Sequence, residues 1–196
     1  GGLHGVGASV VNALSERLDV EVDRGGKTWA MSFHRGEPGV FADKGEPTPD
    51  APFTPFTKGS ELRVVGKVAK GVTGTRIRYW ADRQIFTKGA GFQPEELVGR
   101  ARQTAFLVPG LGITIRDERG EEPSTESFKF DGGISEFVEH LASDAPVTDV
   151  WRIQGVGGYT ETVPVLQENG HMVPTELTRE CEVDIALRWG TGYDTV

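Results

Sequence analysis

The residues of this chain best placed to do chemistry are its first seven, Gly1-Gly2-Leu3-His4-Gly5-Val6-Gly7, four of them glycine. Behind them Val10, Val11, Leu14 and Leu18 recur at the spacing of one helical face, with Asn12, Ser15 and Glu16 off it. A glycine loop that opens onto a helix brings backbone N–H groups together with no Cβ in the way. Those unpaired donors and the positive end of the helix dipole favour an anion, and the simplest reading is a phosphate cradle. The same glycines also suit a tight turn that only caps the helix. Spacing removes two familiar nucleotide loops. A P-loop needs Gly-Lys-Ser or Gly-Lys-Thr leading into a helix, and Gly26-Lys27-Thr28 instead lies between two strand-like runs. A dinucleotide-binding G-x-G-x-x-G would need glycine at position 10, where the chain has Val10, and a strand before the loop.

Other reactive side chains are scattered. His4 invites a catalytic reading because imidazole titrates near neutral pH. His34, His140 and His171 show no metal-ligand spacing and read as structural or surface residues. Arg76 and Arg78 share one face of a strand, a small basic stripe expected to pair with acidic neighbours. Tyr79 and Trp80 read as packing aromatics, and Asp117, Glu118, Glu121 and Glu122 as a solvated acidic hairpin. Cys181 is the one cysteine, which excludes an internal disulfide framework and suits a reducing compartment. It reads as a small, part-buried residue entering a strand.

The elements that must position the loop follow from periodicity. Leu18, Val20 and Val22 alternate with Asp19, Glu21 and Asp23, and Trp29, Met31 and Phe33 alternate likewise. With Arg24-Gly25-Gly26-Lys27 between them, these predict an antiparallel hairpin with one buried face. Residues 36–59 carry five prolines, at 38, 47, 49, 52 and 55, and read as an exposed loop. Strand character returns at Leu62–Val64 and Thr75–Trp80. Pro94 opens a helix in which Leu97, Ala101 and Ala105 share a face, ended by Pro109-Gly110. Ile113 and Ile115, then Phe128 and Phe130, mark strands, and Ile134, Phe137, Val138 and Leu141 mark a short helix. Ser143-Asp144-Ala145-Pro146 reads as a domain boundary, followed by strand signals at 150–153, 159–166 and 183–189. The predicted fold is α+β, a two-layer α/β sandwich with helices on one face of a mixed sheet.

Length allows one substantial domain, or one and part of another. A formal net charge of −8 gives no overall basic field, so any DNA contact is local or lies elsewhere in a longer protein. No apolar run reaches membrane-spanning length, so no membrane partner is expected. The chain opens on its loop and stops after a strand-like run, as expected of an internal fragment.

The segment Gly-Gly-Leu-His-Gly-Val-Gly-Ala-Ser-Val-Val-Asn-Ala-Leu-Ser, residues 1–15, closely resembles the end of the ATP lid in the ATPase polypeptide of type IIA DNA topoisomerases. That family, bacterial gyrase and topoisomerase IV, belongs to the ATPase superfamily of Hsp90, MutL and the histidine kinases. Thr73-Gly74-Thr75 through Asp82 is similar to its Thr-Gly-Thr strand. Ala105-Phe106-Leu107, Gly110, Ile113, Asp117-Glu118 and Phe130-Asp131-Gly132-Gly133-Ile134 continue the match in order. The resemblance implies the C-terminal part of that ATP-binding domain over residues 1–143. The first part of a ribosomal protein S5-like transducer domain would follow over 147–196. It implies ATP held by Gly2, Leu3, His4, Gly5, Val6, Gly7 and Ala8 at the phosphates and by Thr75 at the adenine. It makes His4 a phosphate contact, not a base.

In the family the activating glutamate, the adenine-reading aspartate and the Mg²⁺-holding asparagine lie upstream, and the γ-phosphate lysine lies downstream. No catalytic residue and no metal ligand is therefore expected within the 196 residues, which alone should be inactive. The implied parent is a cytoplasmic bacterial enzyme that uses ATP and Mg²⁺ and dimerises on binding ATP. It would pass double-stranded DNA through a break made by a separate DNA-cleaving polypeptide. Leu62–Gly66 and Leu107–Gly110 look more like topoisomerase IV than gyrase. The rival readings are an Hsp90-like or mismatch-repair ATPase and a non-catalytic α/β binding module.

Overall fold

The computed structural model describes residues 6–58, 62–168 and 170–192. The chain separates into two compact units, Gly1–Gly91 and Phe92–Val196.

In the first unit, helix α1 (Gly7–Ala13) feeds a six-stranded sheet. The strands are β1 (Ser15–Arg24), β2 (Lys27–His34), β3 (Glu37–Phe41), β4 (Phe53–Pro55), β5 (Arg63–Lys67) and β6 (Gly74–Ala81). Their order is β4-β3-β2-β1-β6, with β5 also on β2, and every pair is antiparallel where a mixed sheet was expected. The outer edge of β2 is shared. Lys27–Ala30 faces β5, and Ser32–His34 faces β3. The β1–β2 turn has positive φ at Gly25 (63°) and Gly26 (80°), the backbone a two-residue hairpin needs and glycine permits.

Two expectations change here. α1 ends at Ala13, so Ser15 and Leu18 belong to β1; the alternation from Leu18 to Val22 overrides the helical spacing once β6 and β2 are there to pair. Residues 36–59 are not all loop. Pro38 and Pro55 sit in β3 and β4, short strands outside the sheet's centre, where a missing N–H costs least.

Strand alternation gives the sheet two unlike faces. Leu18, Val20 and Val22 of β1 pair with Phe33, Met31 and Trp29 on one side and Tyr79, Ile77 and Thr75 on the other, forming an apolar face. Arg17, Asp19, Glu21 and Asp23 point the opposite way, beside Ser32, Ala30, Thr28, Arg76 and Arg78.

The second unit holds α2 (Pro94–Leu107), β7 (Ile113–Asp117), β8 (Ser124–Phe128), α3 (Ile134–Leu141), β9 (Trp151–Leu166) and β10 (Met172–Leu187). Pro94 sits at the start of α2 with Glu95 and Glu96 in its first turn, where acidic groups meet the positive dipole end. Its buried residues are Ala101, Ala105 and Phe106, whereas Leu97, expected on that face, is exposed. The Phe106 ring stacks on Phe130 at 3.6 Å and lies 5.0 Å from Phe137 and 5.1 Å from His140. Phe130, read as a strand residue, falls beyond β8, and its carbonyl accepts from Gly110 N–H at 2.9 Å. β9 and β10 form one long hairpin through Gly155, Gly157 and Gly158, where separate shorter strands were predicted. Cys181 is exposed within β10, not part-buried.

Candidate nucleotide site

Of the residues assigned to the nucleotide, Gly2, Leu3, His4 and Gly5 lie outside the described residues. Val6, Gly7 and Ala8 open α1. The Val6 carbonyl accepts from Val10 N–H at 2.9 Å, and no side chain caps the helix start. The first-turn N–H groups therefore have no intrahelical acceptor. Among the described residues, a Cβ on Gly7 would meet nothing within 4 Å.

α1 and the apolar sheet face enclose a cleft of about 450 Å³. Ala8, Ser9, Val11 and Asn12 line one wall, and Leu18, Val20, Phe33, Ile77 and Tyr79 the other. This lies within the size range of small-molecule pockets, and its lining is mostly apolar. Thr75 stands one alternation beyond Ile77 on the same face, paired with Val22. The structure thus brings Ala8 and the Thr75 strand to one cleft from positions far apart in sequence.

Ser9, Asn12 and Tyr79 also line the cleft, and the sequence reading gave none of them a site role. A signal was present: Ala8, Val11 and Asn12 share helical spacing, and Tyr79 follows Ile77 by two in a strand. Asn12 Oδ1 is buried with no hydrogen-bond partner among the described residues. It is an acceptor on the wall of an apolar cleft, suited to an N–H donor.

The larger cleft, about 580 Å³, lies on the polar face, and its charges largely satisfy one another. The Arg17 side chain is 3% exposed; its Nε donates to Asp19 at 2.9 Å, and Nη1 to Asp43 at 2.6 Å and to the Thr48 carbonyl at 2.8 Å. Its guanidinium lies 4.1 Å from the Phe41 ring centroid and 5.3 Å from that of Trp80. Arg76 reaches Glu21 at 2.9 Å and Asp23 at 2.7 Å, the pairing expected for this member of the stripe. Arg76 and the Thr28 hydroxyl hold the Asp23 carboxyl below the usual carboxylate range, and Asp23 and Glu21 raise Arg76 in turn. Asp82 is lowered by Gln84 N–H and by Arg35 at 2.7 Å. These are ion pairs that hold strands and loops together. None offers a free general base, and the smaller apolar cleft is the better ligand site.

No family model matches the chain. Sequence comparison finds the B polypeptide of DNA gyrase from Halalkalibacterium halodurans, 45% identical over 141 residues, covering 72% of this chain and 18% of that protein. DNA gyrase B of Staphylococcus epidermidis is 34% identical over 196 residues, 100% of this chain and 24% of the relative. Among solved structures, the 43K ATPase domain of Thermus thermophilus gyrase B, crystallised with an aminocoumarin, matches with a TM-score of 0.60 and 34% identity. That match covers 80% of this chain and 39% of the other.

The chain is homologous to the ATPase region of DNA gyrase B. It spans about a quarter or less of the length of these gyrase B relatives. The likeness to the gyrase B ATPase domain supports the predicted α/β fold class, and the match over all 196 residues includes both walls of the cleft. These relatives carry the gyrase name, and the sequence lean to topoisomerase IV finds no support in them.

Proposed function

We propose that the chain is part of the ATPase subunit of a bacterial, cytoplasmic type IIA topoisomerase and contributes one side of its ATP site. The observation that carries this is a cleft between α1, entered at Ala8, and the strand that carries Thr75, in a chain homologous to gyrase B. The triphosphate would lie along Gly2, Leu3, His4, Gly5, Val6, Gly7 and Ala8, where first-turn N–H groups face an anion without a Cβ at Gly7. The base would lie over Ile77, with the Thr75 hydroxyl as its polar contact. The fit rests on the cleft's size and apolar lining and on first-turn N–H groups that have no acceptor within the helix. ATP supplies the free energy when bound; this chain's residues bind and orient it.

Mg²⁺ belongs to the proposed reaction, but among the described residues no three of His, Cys, Asp and Glu stand together as ligands. The ion is assigned no ligand within the chain. The activating glutamate and the γ-phosphate lysine are read as lying outside the 196 residues, so the chain alone should not turn over ATP. Residues 1–143 are read as the end of the ATP-binding domain, and 147–196 as the start of an S5-like transducer. Partners of the whole enzyme would be double-stranded DNA, the DNA-cleaving polypeptide (gyrase A or its counterpart) and a second copy that closes on ATP. The residues at 62–66 and 107–110 favour topoisomerase IV, and the relatives' names favour gyrase. ATP-driven negative supercoiling would mark gyrase; decatenation without it would mark topoisomerase IV.

The test is nucleotide titration of the chain extended at both ends. Micromolar to millimolar ATP affinity is expected, and Thr75→Val should weaken it about tenfold through one lost hydroxyl contact. No ATP affinity in the extended chain would leave only a non-catalytic binding module.

A further inference from the structure

Between α3 and β9 the chain runs through Ser143-Asp144-Ala145-Pro146, and this stretch is stitched to the residues that follow β10. Gly192 N–H donates to Asp144 Oδ2 at 2.6 Å. Arg188 Nη2 donates to the Asp144 carbonyl at 2.7 Å and to its Oδ1 at 3.4 Å. The main chain repeats the join. Thr191 N–H donates to the Ala145 carbonyl at 3.0 Å, Val147 N–H to the Trp189 carbonyl at 2.8 Å, and Pro146 bridges Gly190. Trp189 N–H also donates to Thr148 Oγ1 at 3.2 Å.

The join is tight as well as bonded. The Arg188 side chain is 10% exposed, and a Cβ on Gly190 would overlap the Asp144 carboxylate. Beyond it the hairpin lies open, with Ile153, Val156, Tyr159, Val183 and Ile185 all exposed. α3 packs directly against β10, so a shift of the helix meets the hairpin at this base. A carboxylate that ties a side chain and a main-chain N–H from the segment after β10 removes freedom where two elements join, and so makes them move together.

We propose that Asp144 closes a clasp fixing the base of the β9–β10 hairpin to the end of α3, and that displacement of α3 reaches the hairpin through it. Asp144 is then a positioning residue of the coupling step. The inference rests on the domain reading above, in which this joint separates the nucleotide-handling part from the transducer.

The test uses Asp144→Ala and, independently, Gly190→Ala in the full-length protein assembled with its DNA-cleaving partner. Circular dichroism checks that each variant folds. Hydrogen exchange at the amides of Val147, Thr191 and Gly192 should rise at least about tenfold in both. KM for ATP should stay within about twofold, while strand passage per ATP hydrolysed falls several-fold. Asp144→Asn keeps an acceptor for Gly192 N–H and should restore part of the coupling. Faster exchange with undiminished coupling would reduce the clasp to local fastening and overturn the proposal, as would unchanged exchange. Should the wild-type protein pass no duplex at all, the topoisomerase reading fails instead. The clasp is then judged by exchange alone: loosening that spreads from the joint along β9 and β10 supports it, and loosening confined to the joint refutes it.

Discussion

At the scale of single residues, charge placement decides more than charge number. Arg17 is buried between two carboxylates and two aromatic rings, so its removal strands Asp19 and Asp43. Arg17→Ala is predicted to cost about 2–4 kcal/mol in urea unfolding; the full buried-pair penalty does not apply because both carboxylates keep some solvent. The acid response follows from the lowered carboxylates. Arg119 holds Asp117 down to about 2, and Asp23, Asp82, Asp144 and Asp184 are also lowered. Their folded values lie below the unfolded value of about 4, so the stability they give is present above pH 4 and lost as pH falls toward 2. The urea midpoint should fall on acidification from pH 6 to 3, and less steeply in Asp82→Asn; an equal slope in both would remove Asp82 from the account. The pairing of Arg76 was readable from the sequence, since acidic residues alternate on the neighbouring strand. The Arg17 web was not, because Asp43 and Phe41 come from a stretch whose prolines suggested loop.

At the scale of elements, what was legible is what repeats. β1, β2, β6 and α3 follow from alternation or helical spacing, and the Gly25-Gly26 turn from the backbone it demands. β3 and β4 were hidden because they are short and each carries a proline, β4 at the sheet edge and β3 next to it. Their contact depends on Gly39, where a Cβ would run into the Phe53 ring and the Thr54 carbonyl. Gly39→Ala should therefore push β4 off β3 and cost about 1–3 kcal/mol, with faster exchange at Val40 and Phe41. Unchanged stability would mean that β4 is not seated there. Of the cleft lining, Ala8 was singled out by motif, whereas Asn12 and Tyr79 required knowing which faces α1 and β6 turn to each other.

At the scale of the whole molecule, α1 and β6 carry exposed apolar residues beside the cleft. Val10, Val11, Leu14, Ile77 and Tyr79 are each more than a third exposed. The proposed division of catalytic residues leads to one prediction: purified residues 1–196 should show no magnesium-dependent ATP hydrolysis above background in a phosphate-release assay. Measurable turnover would place a complete catalytic set inside the chain and end that division of labour.

The unlike faces of the first sheet also guard its alignment. Sliding β6 by one residue along β1 would turn Arg76 and Arg78 into the apolar cleft and thrust Ile77 and Tyr79 among the carboxylates. Both errors would be penalised at once, by stranded charge on one side and wetted hydrocarbon on the other. The ion pairs on the back of the sheet therefore act as a proofreading device for the front: they keep β6 in the single alignment that turns Ile77 and Tyr79 to the cleft.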